Sequence, residues 1–402
     1  MASYSDRNIA IDMLRALTMV LMIFVNDLWT IKGVPHWMLH SETYEDFMGL
    51  SDVVFPSFLF AMGMSIPYAI ENRFRKGLSA ESTLWHIISR SFALIMMGVF
   101  TMNTSSGLEN AAAARACYLM AMTAGFFLVW NDYPAAAGRG RKALYAVLKV
   151  LGVALLFWLA VCYRRPAGRV FAPGWWGILG IIGWNYLLCA VIYLLCRDRL
   201  RLLVPIWAIF VAVCAVSTVT RTGEPFFNFP KPNLFDTFRD ILHIDNGGLP
   251  ILVLGGMILS VLSVRHSSEW TAAKRVCMAL SAASLLSAAG FVSHRWFIIS
   301  KNLATLPWVF WVSAMCVMLY TALHLLADKG VVRWFGLIRP AGTATLTVYS
   351  IPYFLTGFCS LTGLNLWGRF SGLVGMVYIL GYVALCIFIA WLLGRMHIRL
   401  KV

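Results

Sequence analysis

Charge is what this sequence has least of. Only 13% of its 402 residues are Asp, Glu, Lys or Arg, while 60% are hydrophobic; a soluble domain carries roughly a quarter charged residues. So little polar surface excludes an ordinary water-soluble fold and leaves lipid as the solvent. Acids are scarcest, 18 against 33 Lys and Arg, for a net charge of +15. That excess does not point to nucleic acid. The basic residues sit in short clusters between apolar runs, where they orient helices and meet anionic headgroups. The nine cysteines stand singly within or at the ends of apolar runs, with no CxxC pair, so neither a zinc site nor a disulfide framework is indicated. A P-loop, GxSxG, HExxH and a Gly-rich dinucleotide fingerprint are all missing, and no metal is expected.

What is present is a series of apolar stretches of bilayer length, at 10–30, 52–71, 84–104, 112–131, 143–163, 174–196, 201–219, 247–265, 275–293, 306–326, 341–360 and 372–394. They predict an all-α, polytopic transmembrane bundle of about 12 spans, one pair of which is open to being re-entrant. The first run keeps Asp12 and Arg15 and lacks a small-residue cleavage site, so it reads as a retained helix. Basic clusters at Arg73/Arg75/Lys76, Arg139/Arg141/Lys142, Arg197/Arg199/Arg201, Arg265/Lys274/Arg275, Lys329/Arg333/Arg339 and Arg395/Arg399/Lys401 fall on alternate breaks. With Arg7 they mark the cytoplasmic side and put both termini there; Arg164, Arg165 and Arg169 dissent. The opposite side holds Asp27, Glu42, Glu45, Asp46, Asp52, Glu109, Glu224, Asp236, Asp240 and Asp245, and two long loops, 27–51 and 220–246, the latter with a short amphipathic helix at 234–243. With neither repeat nor low-complexity linker, residues 1–402 read as a single domain.

Few residues can carry chemistry. Asp12 and Arg15, about 4.5 Å apart along one helix face, are either a structural ion pair or, with Arg90 in the third span, a phosphate-binding feature. The first outer loop offers His36 and His40, and Asp52 opens the second helix. A histidine beside a carboxylate suits acyl transfer to an amine, since the imidazole takes the proton or is itself acylated while the carboxylate fixes its tautomer. Asn26, at the end of the first helix, is either an oxyanion donor or a C-cap. His294-Arg295-Trp296 and Ser300-Lys301-Asn302-Leu303 read either as a polar patch facing the compartment of His40 or as a solvated interfacial loop.

The segments IDMLRALTMVLMIFVND, MLHS and DVVFPSFLFAMGMSI resemble the heparan-α-glucosaminide N-acetyltransferase family and its bacterial relatives. The likeness resumes at WHIISRSFALIMMG, GGLPILVLGGMIL, SKNLATLPWVFW and PAGTATLTVYSIPYF. The resemblance implies a helical bundle that passes an acetyl group from cytoplasmic acetyl-CoA to the amine of a glucosamine-type sugar on the far side. It further implies His40 as the active-site histidine, Asn26 and Asp52 as its catalytic companions, and Lys301 and Asn302 as matches to the family's N-K-N-L segment. Acetyl-CoA is the implied co-substrate, with Arg15, Arg90, Lys301 and Asn302 as candidate binders. Several positions depart from the family pattern. Ala16 replaces a glycine, Thr43 and Ala304 stand where tryptophans are usual, and Ala344 replaces an asparagine. The spacing from His40 to Asp52 is about two residues longer than in relatives, which keeps His36 as an alternative. Two other readings compete: a membrane O-acyltransferase, whose first helix usually ends in His rather than Asn26, and a solute or proton-coupled transporter, which should show related halves. The expected setting is a bacterial inner membrane, with lipid as surrounding partner and a homodimer left open.

Overall fold

The computed structural model describes residues 8–104, 112–134, 138–163, 170–226, 234–266, 269–364 and 370–402. Arg7, Glu109, Arg164, Arg165 and Arg169, used in the charge reading, lie outside the described residues. Fourteen α-helices form among those described: α1 Ile9–Leu28, α2 Leu50–Arg75, α3 Ala80–Met102, α4 Ala112–Trp130, α5 Arg139–Cys162, α6 Gly177–Cys196, α7 Leu200–Ser217, α8 Leu234–Leu242, α9 Gly248–Arg265, α10 Ala272–Ser293, α11 Leu306–Asp328, α12 Phe335–Thr343, α13 Thr345–Thr362 and α14 Gly372–Arg395. Eleven of these are long and apolar enough to cross a bilayer. The all-α polytopic expectation therefore holds. The stretch expected as a span at 341–360 differs: α12 and α13 meet at 87°, a broken span or a re-entrant loop. The break falls at Ala344, whose φ of −130° and ψ of 46° leave the helical region.

Lipid is the solvent this surface suits. The most apolar windows of α5 and α7 are each only 17% buried and that of α10 is 22% buried. Phe157 and Leu285 are 70% and 73% exposed. An apolar surface this extensive would associate in water. Because each helix satisfies its own backbone hydrogen bonds, such faces can meet hydrocarbon directly.

Contacts gather the chain into two units. The first contains the residues up to Val25, Pro35–Ser91 and Trp184–Leu337. Its centre is α2 packed on α9. A Cβ on Gly63 would collide with the Val253 carbonyl oxygen, and one on Gly256 with that of Phe60, so glycine allows the two backbones to touch. At one end of this unit, Arg197 donates from Nε and Nη2 to Glu71 at 2.8 and 2.6 Å. At the other end, the α1–α2, α7–α9 and α10–α11 connections come together, as the expected alternation of breaks requires. The second unit contains Asn26–Val34, Phe92–Gly183 and Ile338–Val402. In it α4 packs against α5 and α13. Asp132 there accepts from Arg399 and Lys401 at 2.8 and 3.0 Å.

Candidate active site

The site begins with the way α2 starts. Gly49 is its N-cap, and the carboxylate of Asp52, three residues on, accepts the Gly49 N–H through Oδ2 at 3.1 Å. This is the reciprocal half of a capping box. A Cβ at Gly49 would collide with the Leu39 carbonyl oxygen, so glycine lets the chain fold back here. Oδ2 also accepts the Ser41 N–H at 2.9 Å, and Oδ1 lies 2.9 Å from His40 Nδ1. One fully buried carboxylate thus caps a helix and holds the histidine loop against it. The Asp52 carbonyl oxygen receives Trp308 Nε1 at 3.0 Å, which ties α11 to the same point.

Lys301 enters from the α10–α11 connection. That turn is closed by the Thr305 N–H on the Ser300 carbonyl at 3.1 Å and the Ala304 N–H on that of Lys301 at 3.0 Å. Asn246 Nδ2, just ahead of α9, donates to the carbonyl oxygens of Leu303 and Ala304 at 2.6 and 3.1 Å. Ala304 takes a φ of +44°, a left-handed conformation that costs a non-glycine residue about 1–2 kcal/mol. So fixed, the turn puts Lys301 Nζ 2.8 Å from His40 Nδ1 and 3.4 Å from Asp52 Oδ1. Burial lowers the Lys301 ammonium below the usual lysine value, and the Asp52 charge offsets only part of that. Alongside, Ser300 Oγ donates to the Thr43 carbonyl at 2.8 Å and Asn302 Nδ2 to Thr43 Oγ1 at 3.3 Å.

Both polar contacts of His40 use Nδ1, so two proton arrangements are available. With the proton on Nδ1, the ring donates to Asp52 and Nε2 is a base. With Lys301 donating to Nδ1, the ring proton sits on Nε2, which is then a hydrogen-bond donor. In the first arrangement Nε2 can take up a proton, and the imidazolium so formed, facing the Asp52 carboxylate, can deliver it again. The His40 side chain is 43% exposed, so the ring remains open to an incoming molecule.

His36 is placed differently. It stacks on Phe47 with ring centroids 4.7 Å apart and meets Glu45 at 3.1 Å, with its side chain 63% exposed and no contact to Asp52. Asn26 is exposed in the last turn of α1 and belongs to the second unit, whereas His40, Asp52, Lys301 and Asn302 share the first. Arg15 lies 4.0 Å from Asp12, the expected intrahelical pair at the outer limit of contact. Arg90 spreads its guanidinium 4.9 Å from the Tyr186 ring centroid; its Nε is buried with no hydrogen bond among the described residues. Sequence reasoning missed Asn246 and Trp308, which act through backbone oxygens and carry no motif. Among the described residues no cluster of three or more His, Cys, Asp or Glu could hold a metal.

Fold and site together define a polytopic, all-α membrane protein with a histidine–carboxylate–lysine junction where connections of the first unit meet. Residues 7–238, more than half of the chain, match a family described as a domain of unknown function, DUF5009, and the chain belongs to that family. It is also similar to two curated proteins named heparan-α-glucosaminide N-acetyltransferase. The mouse protein is 35% identical over 101 residues, 25% of this chain and 15% of the mouse protein. The human one is 32% identical over 94 residues, 23% of this chain and 13% of the human protein. The similarity thus spans a small part of the curated relatives' length.

Proposed function

We propose that this chain is a transmembrane N-acetyltransferase. It takes an acetyl group from cytoplasmic acetyl-CoA and transfers it to the amine of a glucosamine-type sugar on the opposite face. The observation that carries this reading is His40, held through Nδ1 on the buried Asp52 carboxylate beside Lys301, in a chain similar to proteins bearing that name. The basic clusters support a reading with the His40 end of the helices on the non-cytoplasmic side and both termini in the cytoplasm; the proposed setting is a bacterial inner membrane.

An anionic co-substrate fits the unsatisfied Nε of Arg90, about 15 Å along α3 from its start. Arg15, in the second turn of α1, is the companion cation. Acetyl-CoA supplies a thioester whose carbonyl carbon accepts the amine nitrogen. His40 Nε2 takes the proton lost by that nitrogen as the N–C bond forms, and returns it to the thiolate as the C–S bond breaks. In the alternative route, His40 Nε2 is acetylated first and the amine attacks it afterwards. Asp52 holds the ring orientation. Lys301 offers positive charge to the developing oxyanion, and Asn26 stays a candidate donor for the same charge.

The test is acetyl transfer from radiolabelled acetyl-CoA to glucosamine by purified protein in nanodiscs. His40→Ala should abolish it, and full activity in that variant overturns the assignment. A hydroxylamine-labile ester product, in place of a stable amide, would turn the reading to O-acylation.

A further inference from the structure

Asp46 lies six residues beyond His40 on the α1–α2 connection. Its carboxylate gathers donors from two other segments. Arg221 Nη2 reaches Oδ2 at 2.6 Å, the Ile299 N–H reaches Oδ1 at 2.8 Å, and His294 Nε2 lies 2.9 and 3.1 Å from the two oxygens. Arg221 is itself held, since its Nε donates to the His294 carbonyl oxygen at 2.9 Å and its N–H to that of Trp296 at 2.9 Å. The α1–α2 loop, the segment after α7 and the α10–α11 connection therefore converge on one carboxylate.

This convergence sits beside the candidate site without entering it. On the wall, Ile299 is two residues from Lys301. On the loop, Asp46 is three residues past Thr43, whose carbonyl and hydroxyl receive Ser300 and Asn302. Ile299–Asp46, Ser300–Thr43 and Lys301–His40 are three successive rungs between the same two segments. An isolated surface ion pair would add little. Asp46 differs because a backbone N–H and two side chains from separate segments fix its geometry while it keeps a side-chain exposure of 30%.

We propose that Asp46 is a positioning residue that clamps the His40 loop onto the wall bearing Lys301, so that the His40–Lys301 contact depends on it. The activity part of this claim rests on the acetyltransferase reading; the structural part does not. The titratable and charged groups facing Asp46 are His294 from the end of α10 and Arg221 from the segment after α7. On its own loop, Glu45 turns away to His36 and to the Glu42 N–H. Burial alone would raise the Asp46 carboxyl, but the Ile299 N–H, His294 and Arg221 outweigh it and hold it below the ordinary carboxylate value. With a depressed native pKa, the clamp is present above the ordinary value and is lost as pH falls through the lowered one.

The experiment is hydrogen exchange of residues 36–48 in nanodiscs, alongside kcat and KM for acetyl transfer, on wild type, Asp46→Asn, Arg221→Gln and Asp46→Glu. Asp46→Asn and Arg221→Gln should each speed exchange in that loop roughly tenfold, with the helices unchanged. Asp46→Glu should restore most of the protection. The kcat should fall about tenfold in Asp46→Asn while KM for acetyl-CoA stays within about twofold. Wild-type loop protection should collapse in acid, and Asp46→Asn should lack that transition. Unchanged loop exchange in both Asp46→Asn and Arg221→Gln, or a rise spread evenly over the helices, overturns the clamp. If wild type transfers no acetyl group, the enzymatic reading fails while loop exchange still decides the clamp.

Discussion

Replacing Asp52 by Asn is the most informative single change, because it alters charge and proton placement with almost no change in shape. The carboxylate has four neighbours that can donate: the Ser41 and Gly49 N–H groups on Oδ2, and His40 and Lys301 on Oδ1. An asparagine can keep the two backbone donors by turning its carbonyl oxygen toward them. Its NH2 group must then face His40 Nδ1 and Lys301. His40 Nδ1 becomes an acceptor, its proton moves to Nε2, and the nitrogen needed as a base is occupied. Losing a positioned general base slows transfer by about 10²- to 10⁴-fold. The lost charge-assisted bond to His40 costs about 1.5–3 kcal/mol of stability. The Lys301 contact at 3.4 Å is too long to add as much. Steady-state acetyl transfer to glucosamine in nanodiscs, with thermal unfolding as the control for folding, reads both effects. If folded Asp52→Asn keeps a rate within about threefold of wild type while His40→Ala is inactive, the tautomer argument is refuted.

Other outcomes follow from the same geometry. His36→Ala should retain at least about half of the wild-type rate, since among the described residues the His36 ring meets Glu45 and Phe47 and not Asp52; a loss matching that of His40→Ala in the same assay would move the role to His36. Burial depresses the Lys301 ammonium, so its linkage term favours folding above the ordinary lysine value and is lost as pH falls through the lowered one. The unfolding midpoint of wild type relative to Lys301→Met should therefore climb with pH and level off above about 10.4, and a flat difference in calorimetry would contradict that assignment. Arg90→Gln should raise KM for acetyl-CoA about tenfold with a smaller change in kcat; the reverse pattern in initial-rate kinetics would place Arg90 outside donor binding.

The fold was legible because spanning helices write themselves as runs of apolar residues of fixed length, and each expected run coincides with a helix within a few residues. The exception, at Ala344, is a local backbone departure inside a uniformly apolar stretch, and hydropathy is blind to it. Three of the loops expected to share a side are joined by contacts among Asp46, Arg221, His294, Lys301 and His40. Which side they occupy rests on charge counting alone. His40 and Asp52 were visible as residue types that acyl transfer needs. The preference for His40 over His36 came from the resemblance and not from the residue types, because both precede Asp52 on a loop whose path depends on Gly49 approaching the Leu39 carbonyl. Asn246 and the left-handed Ala304 were equally silent, since they work through main-chain oxygens that any sequence possesses.

The departures at Thr43 and Ala304 bear on the acceptor. Both stand where the resemblance implies tryptophan, yet both sit in the polar frame of the site: Thr43 receives Ser300 and Asn302, and Ala304 offers its carbonyl to Asn246. Ala304 is buried and its Cβ faces Gly248, so the indole missing there concerns packing, whereas Thr43 is half-buried on the His40 loop and is far smaller than an indole. On the acetyltransferase reading, the smaller side chain at Thr43 leaves more room for the acceptor, so a glucosamine-terminated disaccharide should be preferred to free glucosamine. Thr43→Trp should narrow that preference by about tenfold in a competition assay, because an aromatic ring brings roughly 1–2 kcal/mol of contact or clash into a site of this kind. The variant must keep its unfolding midpoint for the comparison to count. An unchanged ratio in a folded Thr43→Trp variant would place acceptor selection elsewhere, with Glu42 and Tyr44 on the same loop as the next positions to vary.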